Sequence, residues 1–497
     1  MKLKIKLMKW AAGLPVVMID KKTAQELGVH TKDRLLIKTL SRPYKKLSTI
    51  VDVVEGLVSK DQLGVSLELK GILGLKVGQY VDVILSPTPK SMFLIKKKLD
   101  KERLTQKEIN NIIEDIVSNS LSETETALFV AAMYENGMNV KETIFLIKAI
   151  LKTGNILDFD GKRSSLVVDK HCIGGIPANR TTPVVVSICV CAGLIMPKSS
   201  SRAITSAAGT ADVIETIAKV DFSVKEIKKI VSKTNACMVW GGGLGMVPAD
   251  SKIIKVEKLL KIDPKAQLLA SIMSKKLALG AKYILIDIPY GKNAKVSKEK
   301  ALELKRDFER LGKYFRKKIK VVLTKGDEPI GDGVGPALEL IDVIRVLDPN
   351  KNGPLDLKEK SIFLAGEILE LTKKAKKGKG EILAKEILES GKAFEKFKEI
   401  IKAQRGSLSK IKIAKFSKNI KAHKSGKIKE IHNKKINSLA RVAGCPVDKA
   451  SGIFLYCHLR DKVKKGDKLM TIYSESESRL KEAIKYYKEK KPVIIHN

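Results

Sequence analysis

The sequence predicts a multidomain α/β protein with a small pseudo-symmetric β barrel at the N-terminus. A helical domain, a central α/β domain with a mixed sheet and a small C-terminal α/β domain follow. Three observations carry this expectation. The 497 residues suffice for about three or four domains of ~100–200 residues. The apolar pattern changes period along the chain, from strand-like to helical and then to an alternation of both. Two loops rich in Gly, Ser and Thr each run into an apolar, helix-like stretch, as phosphate-binding loops of α/β domains do.

The elements follow in order. Met1-Lys2-Leu3-Lys4-Ile5-Lys6-Leu7 alternates as a strand does. Residues 1–85 hold an internal echo, in which Leu27-Gly28-Val29 leads to Leu35-Leu36-Ile37 and Leu73-Gly74-Leu75 leads to Tyr80-Val81-Asp82-Val83-Ile84. Each half reads as strand, short helix, Gly stop and strand, which suits a pseudo-symmetric barrel. Residues 91–158 read as three short helices. Thr105 with Glu108 and Ser122 with Glu125 make two capping boxes, and a third apolar run spans Val140 to Lys152. From about residue 164, strand-like runs (Leu166–Val168, Ala236–Val239, Tyr283–Ile288, Ile319–Leu323) alternate with helical ones. Long helical segments are expected near 297–315, 333–346 and 355–403. Strands and two helices make up 411–497.

Composition limits the function. Lys and Arg number 95 against 55 Asp and Glu, a net charge of +40, but the excess is scattered Lys. Aromatics are only 5%, which leaves few stacking platforms for single strands, so a nucleic-acid surface is not expected. A basic surface also attracts small phosphorylated substrates. The six cysteines show no C-x-x-C and no zinc spacing, and read as reduced thiols of a cytoplasmic protein. The N-terminus lacks a signal-peptide core, and no apolar run is long enough to span a bilayer. No metal site and no cofactor is expected.

The two loops concentrate the chemistry. The first reads Asp169-Lys170-His171-Cys172-Ile173-Gly174-Gly175-Ile176-Pro177-Ala178-Asn179-Arg180-Thr181-Thr182, and the second runs from Lys198-Ser199-Ser200-Ser201-Arg202 to Gly209-Thr210. Small residues admit the backbone close to a ligand, while hydroxyls, Lys and Arg bind phosphate oxygens. Neither loop has the Walker spacing. Two loops on one domain suit either two phosphates or one phosphate gripped from two sides. A further segment, Asp263-Pro264, reads as a helix start with Asp263 as N-cap, and places Ser271 and Lys275 on one face. Asp287-Ile288-Pro289-Tyr290-Gly291-Lys292-Asn293-Ala294-Lys295 runs off a buried-looking strand, where α/β sheets meet ligands. Gly331-Asp332-Gly333-Val334-Gly335 lacks the context of a dinucleotide fingerprint and reads as a loop before a helix at Pro336.

Taken together, Asp169–Gly175, the Ser200–Thr210 loop, Pro248-Ala249-Asp250 and Ala270-Ser271-x-x-Ser274-Lys275-Lys276 closely resemble the thymidine/pyrimidine nucleoside phosphorylase family. Gly174–Thr182, Ser201-Arg202-Ala203-Ile204-Thr205-Ser206 and the extra N-terminal domain resemble its archaeal branch acting on nucleoside 5′-monophosphates. The match spans essentially the whole chain. It implies a pentosyltransferase that converts AMP and phosphate to adenine and ribose 1,5-bisphosphate in nucleotide salvage, with CMP and UMP as further substrates. It also implies a homodimer or larger homo-oligomer. The resemblance divides the chain into 1–85, a helical domain of 91–158 joined by 248–280, a catalytic α/β domain of 159–247 and 281–405, and 411–497. It assigns Lys170, Thr182, Ser200 and Thr210 to the attacking phosphate. Gly175, Ser201, Arg202, Ala203, Ile204, Thr205, Ser206, Thr210, Ser271 and Lys295 are assigned to AMP, Lys275 to the base side, and Asp263 to proton donation. Cys172 stands where pyrimidine phosphorylases carry Ser, and a thiol is the weaker donor.

Three alternatives compete. An anthranilate-phosphoribosyltransferase-like enzyme would share the architecture and a Gly-rich phosphate loop, but it would need acidic residues for Mg²⁺-diphosphate, and no paired acids stand near the loops. A pyrimidine nucleoside phosphorylase would act on substrates lacking the 5′-phosphate, against which Arg202 and the N-terminal domain argue. A basic nucleic-acid-binding protein would show salt-dependent duplex binding.

Overall fold

The computed structural model describes residues 1–12, 15–42, 44–87, 89–157, 159, 165–203, 206–242 and 245–496. Two compact units form, one of Met1–Thr153 with Pro248–Ala270 and one of Gly154–Val247 with Ser271–Asn497.

In the first unit, strands β1 (Lys2–Leu7), β2 (Val16–Asp20), β3 (Arg34–Thr39), β4 (Lys46–Val54), β5 (Gln62–Val65) and β6 (Tyr80–Leu85) close a barrel in the order β1-β5-β2-β4-β3-β6. Closure leaves no edge strand to template aggregation. Alternation along β1 turns Leu3 and Ile5 inward and the lysines outward. Helices α1 (Lys21–Leu27) and α2 (Leu67–Leu73) each stop at a left-handed glycine, Gly28 (φ 66°) and Gly74 (φ 69°), so the echo in the sequence is a structural one.

The helical part of this unit holds α3 (Ser91–Leu99), α4 (Gln106–Val117), α5 (Glu123–Asn136), α6 (Val140–Lys152) and a further helix, Pro248–Leu260. Both expected capping boxes form. The sequence announced three helices between 91 and 158. The unannounced one, α3, begins without any side-chain cap, so no start signal marks it, although Lys96-Lys97-Lys98 in its last turn complement the helix dipole.

The second unit is built on five strands, β7 (Val168–Cys172), β8 (Met196–Ser200), β9 (Ala236–Trp240), β10 (Tyr283–Tyr290) and β11 (Lys318–Lys325). The pairs β11-β10, β10-β7 and β8-β9 are parallel, and a parallel bridge between Val167 and Ile195 sets β7 beside β8. All these pairs are parallel, where a mixed sheet was expected, because every return crosses over through helices. The helices are α7 (Thr181–Cys191), α8 (Thr210–Glu215), α9 (Val224–Thr234), the Ser271–Ala278 part of α11 (Lys265–Ala278, α10 being Pro248–Leu260), α12 (Lys298–Tyr314), α13 (Pro336–Leu347), α14 (Leu355–Leu371), α15 (Gly380–Glu389) and α16 (Lys392–Ala403). The chain leaves β7 toward β8 and β9 on one side, then returns to β10 and β11 on the other. That reversal makes the carboxyl ends of β7 and β10 a topological switch point, where sheets of this kind bind ligands.

Two expectations need correction. Asp169–Cys172 lie in β7 and Thr181 and Thr182 in α7 rather than in the first loop, and Lys198–Ser200 end strand β8 rather than begin the second. Pro197, Lys198 and two serines hide the strand, because β8 buries a lysine where a buried strand normally reads as an apolar run.

The C-terminal part comprises β12 (Gly333–Val334), β13 (Phe416–Lys421), β14 (Gly426–Ile431), α17 (Asn433–Ala443), β15 (Gly452–Leu455), β16 (Lys462–Val463), β17 (Lys468–Ser474), α18 (Glu477–Lys490) and β18 (Val493–His496). Its sheets run β12-β15-β17-β13 and β16-β14-β18. The expected loop before Pro336 therefore includes a two-residue strand, and α13 does begin with that proline. No described helix is long and apolar enough to cross a membrane.

Candidate active site

The segments 173–180, 201–209 and 291–297 all leave the carboxyl ends of parallel strands β7, β8 and β10, so they share one edge of the sheet. The first loop holds consecutive left-handed glycines, Gly174 (φ 86°) and Gly175 (φ 95°). A Cβ on Gly175 would lie 2.8 Å from Lys295 Cβ and 3.0 Å from Lys295 N, so this loop packs directly on the one after β10.

Neighbouring residues on β7 carry opposite charges to opposite faces. Asp169 is 1% exposed, and its carboxylate accepts from Lys276 Nζ at 2.6 Å and lies 3.5 Å from Lys198 Nζ. Lys170 is also 1% exposed, and its Nζ donates to Thr181 Oγ1 at 2.6 Å, in the first turn of α7. Burial lowers the Lys170 pKa against the pull of Cys172 and Asp287, with Lys360 and Arg180 adding to the lowering. Burial, and then Lys276 and Lys198, hold His171 well below the ordinary histidine value, hence neutral. Burial pushes the Cys172 thiol up to about 11 with Asp287 adding to it, so it remains protonated. Asn179 Nδ2 donates to its Sγ at 3.4 Å.

Cation-to-hydroxyl hydrogen bonds recur around this edge. Beside Lys170 and Thr181, Arg180 donates from NH1 to Thr210 Oγ1 at 2.7 Å, and Lys275 Nζ donates to Ser271 Oγ at 2.9 Å. A hydroxyl that accepts from a cation keeps its own hydrogen for an acceptor. Such groups are suited to an anion. Ser200 Oγ, at the end of β8, is buried and makes no hydrogen bond among the described residues. Thr182 lies buried in α7 next to Thr181.

Ser201 is exposed, Ala203 N donates to Asp212 Oδ2 at 2.6 Å, and Ser206 Oγ donates to Ala208 O at 3.1 Å. Ile204 and Thr205 lie outside the described residues. Arg202 forms a forked ion pair with Glu215, its NH2 2.6 Å from Oε1, and its guanidinium lies 4.8 Å from the centre of the Trp240 ring. Hydrogen bonding from Arg202, opposed by partial burial and joined by Lys449 at 2.8 Å, takes the Glu215 pKa down to about 2. Lys295 is exposed on its loop. Asp263 belongs to the first unit, where it is exposed. The Pro264 carbonyl accepts from Leu268 N at 2.9 Å at the head of α11. The helix thus starts at Lys265, one residue later than the sequence suggested.

Several residues escaped the sequence reading. Lys360, on α14, lies 3.2 Å from Asp287 Oδ2 and donates to Thr324 Oγ1 at 3.1 Å, while Thr324 donates to Asp287 Oδ1 at 2.7 Å. Helix α17 presents Asn433, Asn437 and Arg441 at four-residue spacing, hence on one face. Asn433 Nδ2 donates to Asn293 O (3.2 Å) and Gly326 O (2.9 Å), Asn437 Oδ1 accepts from Ala207 N (3.0 Å), and Arg441 donates to Ser206 O (3.2 Å). That four-residue polar spacing was the only signal available in the sequence. Among the described residues no group of three His, Cys, Asp or Glu side chains is placed to hold a metal ion.

Residues 93–154 match the glycosyl transferase family helical bundle domain, residues 164–394 that family's a/b domain, and residues 427–493 the pyrimidine nucleoside phosphorylase C-terminal domain. AMP phosphorylase from Pyrococcus furiosus is 43% identical over 99% of this chain and 97% of its own. The protein of that name from Thermococcus kodakarensis is 44% identical over 100% and 98%, and that from Methanococcoides burtonii 41% over 100% and 97%. Among solved structures, anthranilate phosphoribosyltransferase from Thermus thermophilus superposes with a TM-score of 0.52 over 63% of this chain and 99% of its own. At 18% identity it shares the fold alone. With full-length relatives at such identity and the same domains in the same order, the chain belongs to the AMP phosphorylase family of glycosyl transferases.

Proposed function

We propose that the protein catalyses phosphorolysis of nucleoside 5′-monophosphates, converting AMP and phosphate to adenine and ribose 1,5-bisphosphate, with CMP and UMP as further substrates. The observation that carries this beyond family membership is the row of cation-backed hydroxyls, Thr181, Thr210 and Ser271, beside buried Lys170. The reaction needs two phosphate groups held at once, the attacking phosphate and the 5′-phosphate of the nucleotide. Loops from β7, β8 and β10 on one sheet edge supply separate sets of donors for them.

The chemistry follows from charge. Phosphate oxygen attacks C1′ as the bond to the base breaks, and the sugar becomes oxocarbenium-like while the base leaves with the bonding electrons. Lys170, Thr182, Ser200 and Thr210 hold the attacking phosphate, so its approach is set by fixed donors that need no reorganisation. Asp263 donates the proton that the departing base requires, and Lys275 and Ser271 serve the base side. Gly175 and the 201–206 loop, with Lys295, hold the nucleotide. Arg202 reaches the 5′-phosphate by exchanging Glu215 for it, and Lys449 at 2.8 Å remains to neutralise Glu215. Assembly as a homodimer or larger homo-oligomer belongs to the same reading.

Phosphorus NMR of the sugar product tests the assignment. Ribose 1,5-bisphosphate shows two ester phosphorus signals, and both should appear only when AMP and inorganic phosphate are supplied together. A single 5′-phosphate signal, from ribose 5-phosphate, would mean that water and not phosphate attacks C1′.

A further inference from the structure

The Arg180 side chain has a place in this edge that goes beyond the family assignment. Its guanidinium is 11% exposed and makes four polar contacts. Nε donates to Glu339 Oε2 at 2.8 Å, NH2 lies 2.6 Å from the same oxygen and donates to Ala208 O at 3.0 Å, and NH1 donates to Thr210 Oγ1 at 2.7 Å. Glu339, on α13, is 1% exposed, and its other oxygen accepts from Gly335 N at 3.1 Å. The pair is therefore anchored in the interior, and the free end of the fork faces the 201–209 loop.

Resting on the functional reading above, we infer that Arg180 is a positioning residue for the attacking phosphate, acting through Thr210. Two consequences follow from its geometry. First, NH1 fills the acceptor side of the Thr210 hydroxyl, so that hydroxyl's hydrogen is available to a phosphate oxygen. Second, Arg180 sits immediately before Thr181, whose own hydroxyl is set the same way by Lys170 at 2.6 Å. The hydroxyls at the starts of α7 and α8 are thus both backed by cations. Only a planar fork can hold Glu339, Ala208 and Thr210 together, which a lysine's single ammonium on a flexible stem does not reproduce. Arg180 is also one of the cations that add to the lowering of the Lys170 pKa by burial.

A double-mutant cycle on the full chain tests this, with Arg180→Lys, Thr210→Val and both together. Each single change should raise the KM for phosphate about tenfold, as for loss of one charge-assisted hydrogen bond. The KM for AMP should rise clearly less than that for phosphate, since Thr210 is also assigned to AMP, and the double variant should be no worse than the poorer single one. Inorganic phosphate alone should raise the Tm of the native protein and shift neither single variant comparably. Multiplying effects in the double variant, parallel rises in both KM values, or an undiminished phosphate-induced Tm shift in Thr210→Val would overturn the role of Arg180. A native protein that releases no adenine from AMP and phosphate would instead overturn the functional reading on which it rests.

Discussion

Asp263 and His458 show how differently a single ionisable side chain can matter here. Asp263 is exposed ahead of α11 and is proposed above as the proton donor. Asp263→Asn keeps size and hydrogen bonding while removing the proton. A positioned acid contributes ~10²–10⁴-fold, so kcat with AMP should fall by about that factor with little change in KM. Steady-state kinetics decide it, and an unchanged kcat would leave Asp263 a purely structural residue. His458 stands outside the catalytic edge. Its Nδ1 lies 3.2 Å from Glu328 Oε2 and its Nε2 3.3 Å from Asp332 Oδ1, so both nitrogens face carboxylates and the ring is held as a cation. Asp332 first, then Glu328, raise its pKa to about 10 against some desolvation. The folded value is above the unfolded one, so its stabilisation is complete below about pH 6.5 and is lost as pH rises toward 10. Urea denaturation should therefore show stability falling across that window, by at most about 1.4 kcal/mol per pH unit before screening. His458→Gln should flatten the dependence, and an identical slope in the variant would assign the effect elsewhere.

At the scale of elements, helix α17 is the part whose role is least visible from its own residues. Asn433, Asn437 and Arg441 tie it to backbone atoms of loops after β8, β10 and β11. Asn437→Ala removes the acceptor for Ala207 N, next to the segment assigned to AMP. The KM for AMP should rise several-fold, of the order expected for one buried hydrogen bond, while that for phosphate stays put. Equal rises in both would mean that α17 merely supports the fold. These partners lie 107–235 residues apart in sequence, and that separation is why they could not be read from it. Local signals were legible. The capping boxes at Thr105 and Ser122, the glycine stops at Gly28 and Gly74 and the proline start of α13 all act within a few residues. Strand β8 was not legible, because Lys198 is buried against Asp169 on β7 and the Ser199 carbonyl, and looks like a loop charge in isolation. The same holds for Lys360, whose partners Asp287 and Thr324 come from β10 and β11. Loop motifs pointed to phosphate, and helical spacing put Lys275 beside Ser271, whereas Lys170 with Thr181 and Arg180 with Thr210 meet only once the fold brings them together.

Across the whole molecule, the organising feature is a parallel sheet whose strand order reverses at β7, with chemistry gathered at its carboxyl edge. Lys170, Lys198 and Lys276 are each under 5% exposed, and they gather on this sheet in a chain whose +40 charge is otherwise scattered. Surface lysines favour approach of anionic substrates generally, but discrimination between a nucleotide and a nucleoside rests on the 5′-phosphate itself. The most direct test supplies the purified full-length protein with inorganic phosphate and either AMP or adenosine, and follows free adenine. Adenine should appear from AMP, depend on phosphate, and form far more slowly from adenosine at equal concentration. Release from adenosine at an equal or greater rate would contradict recognition of the 5′-phosphate and make the protein a nucleoside phosphorylase instead.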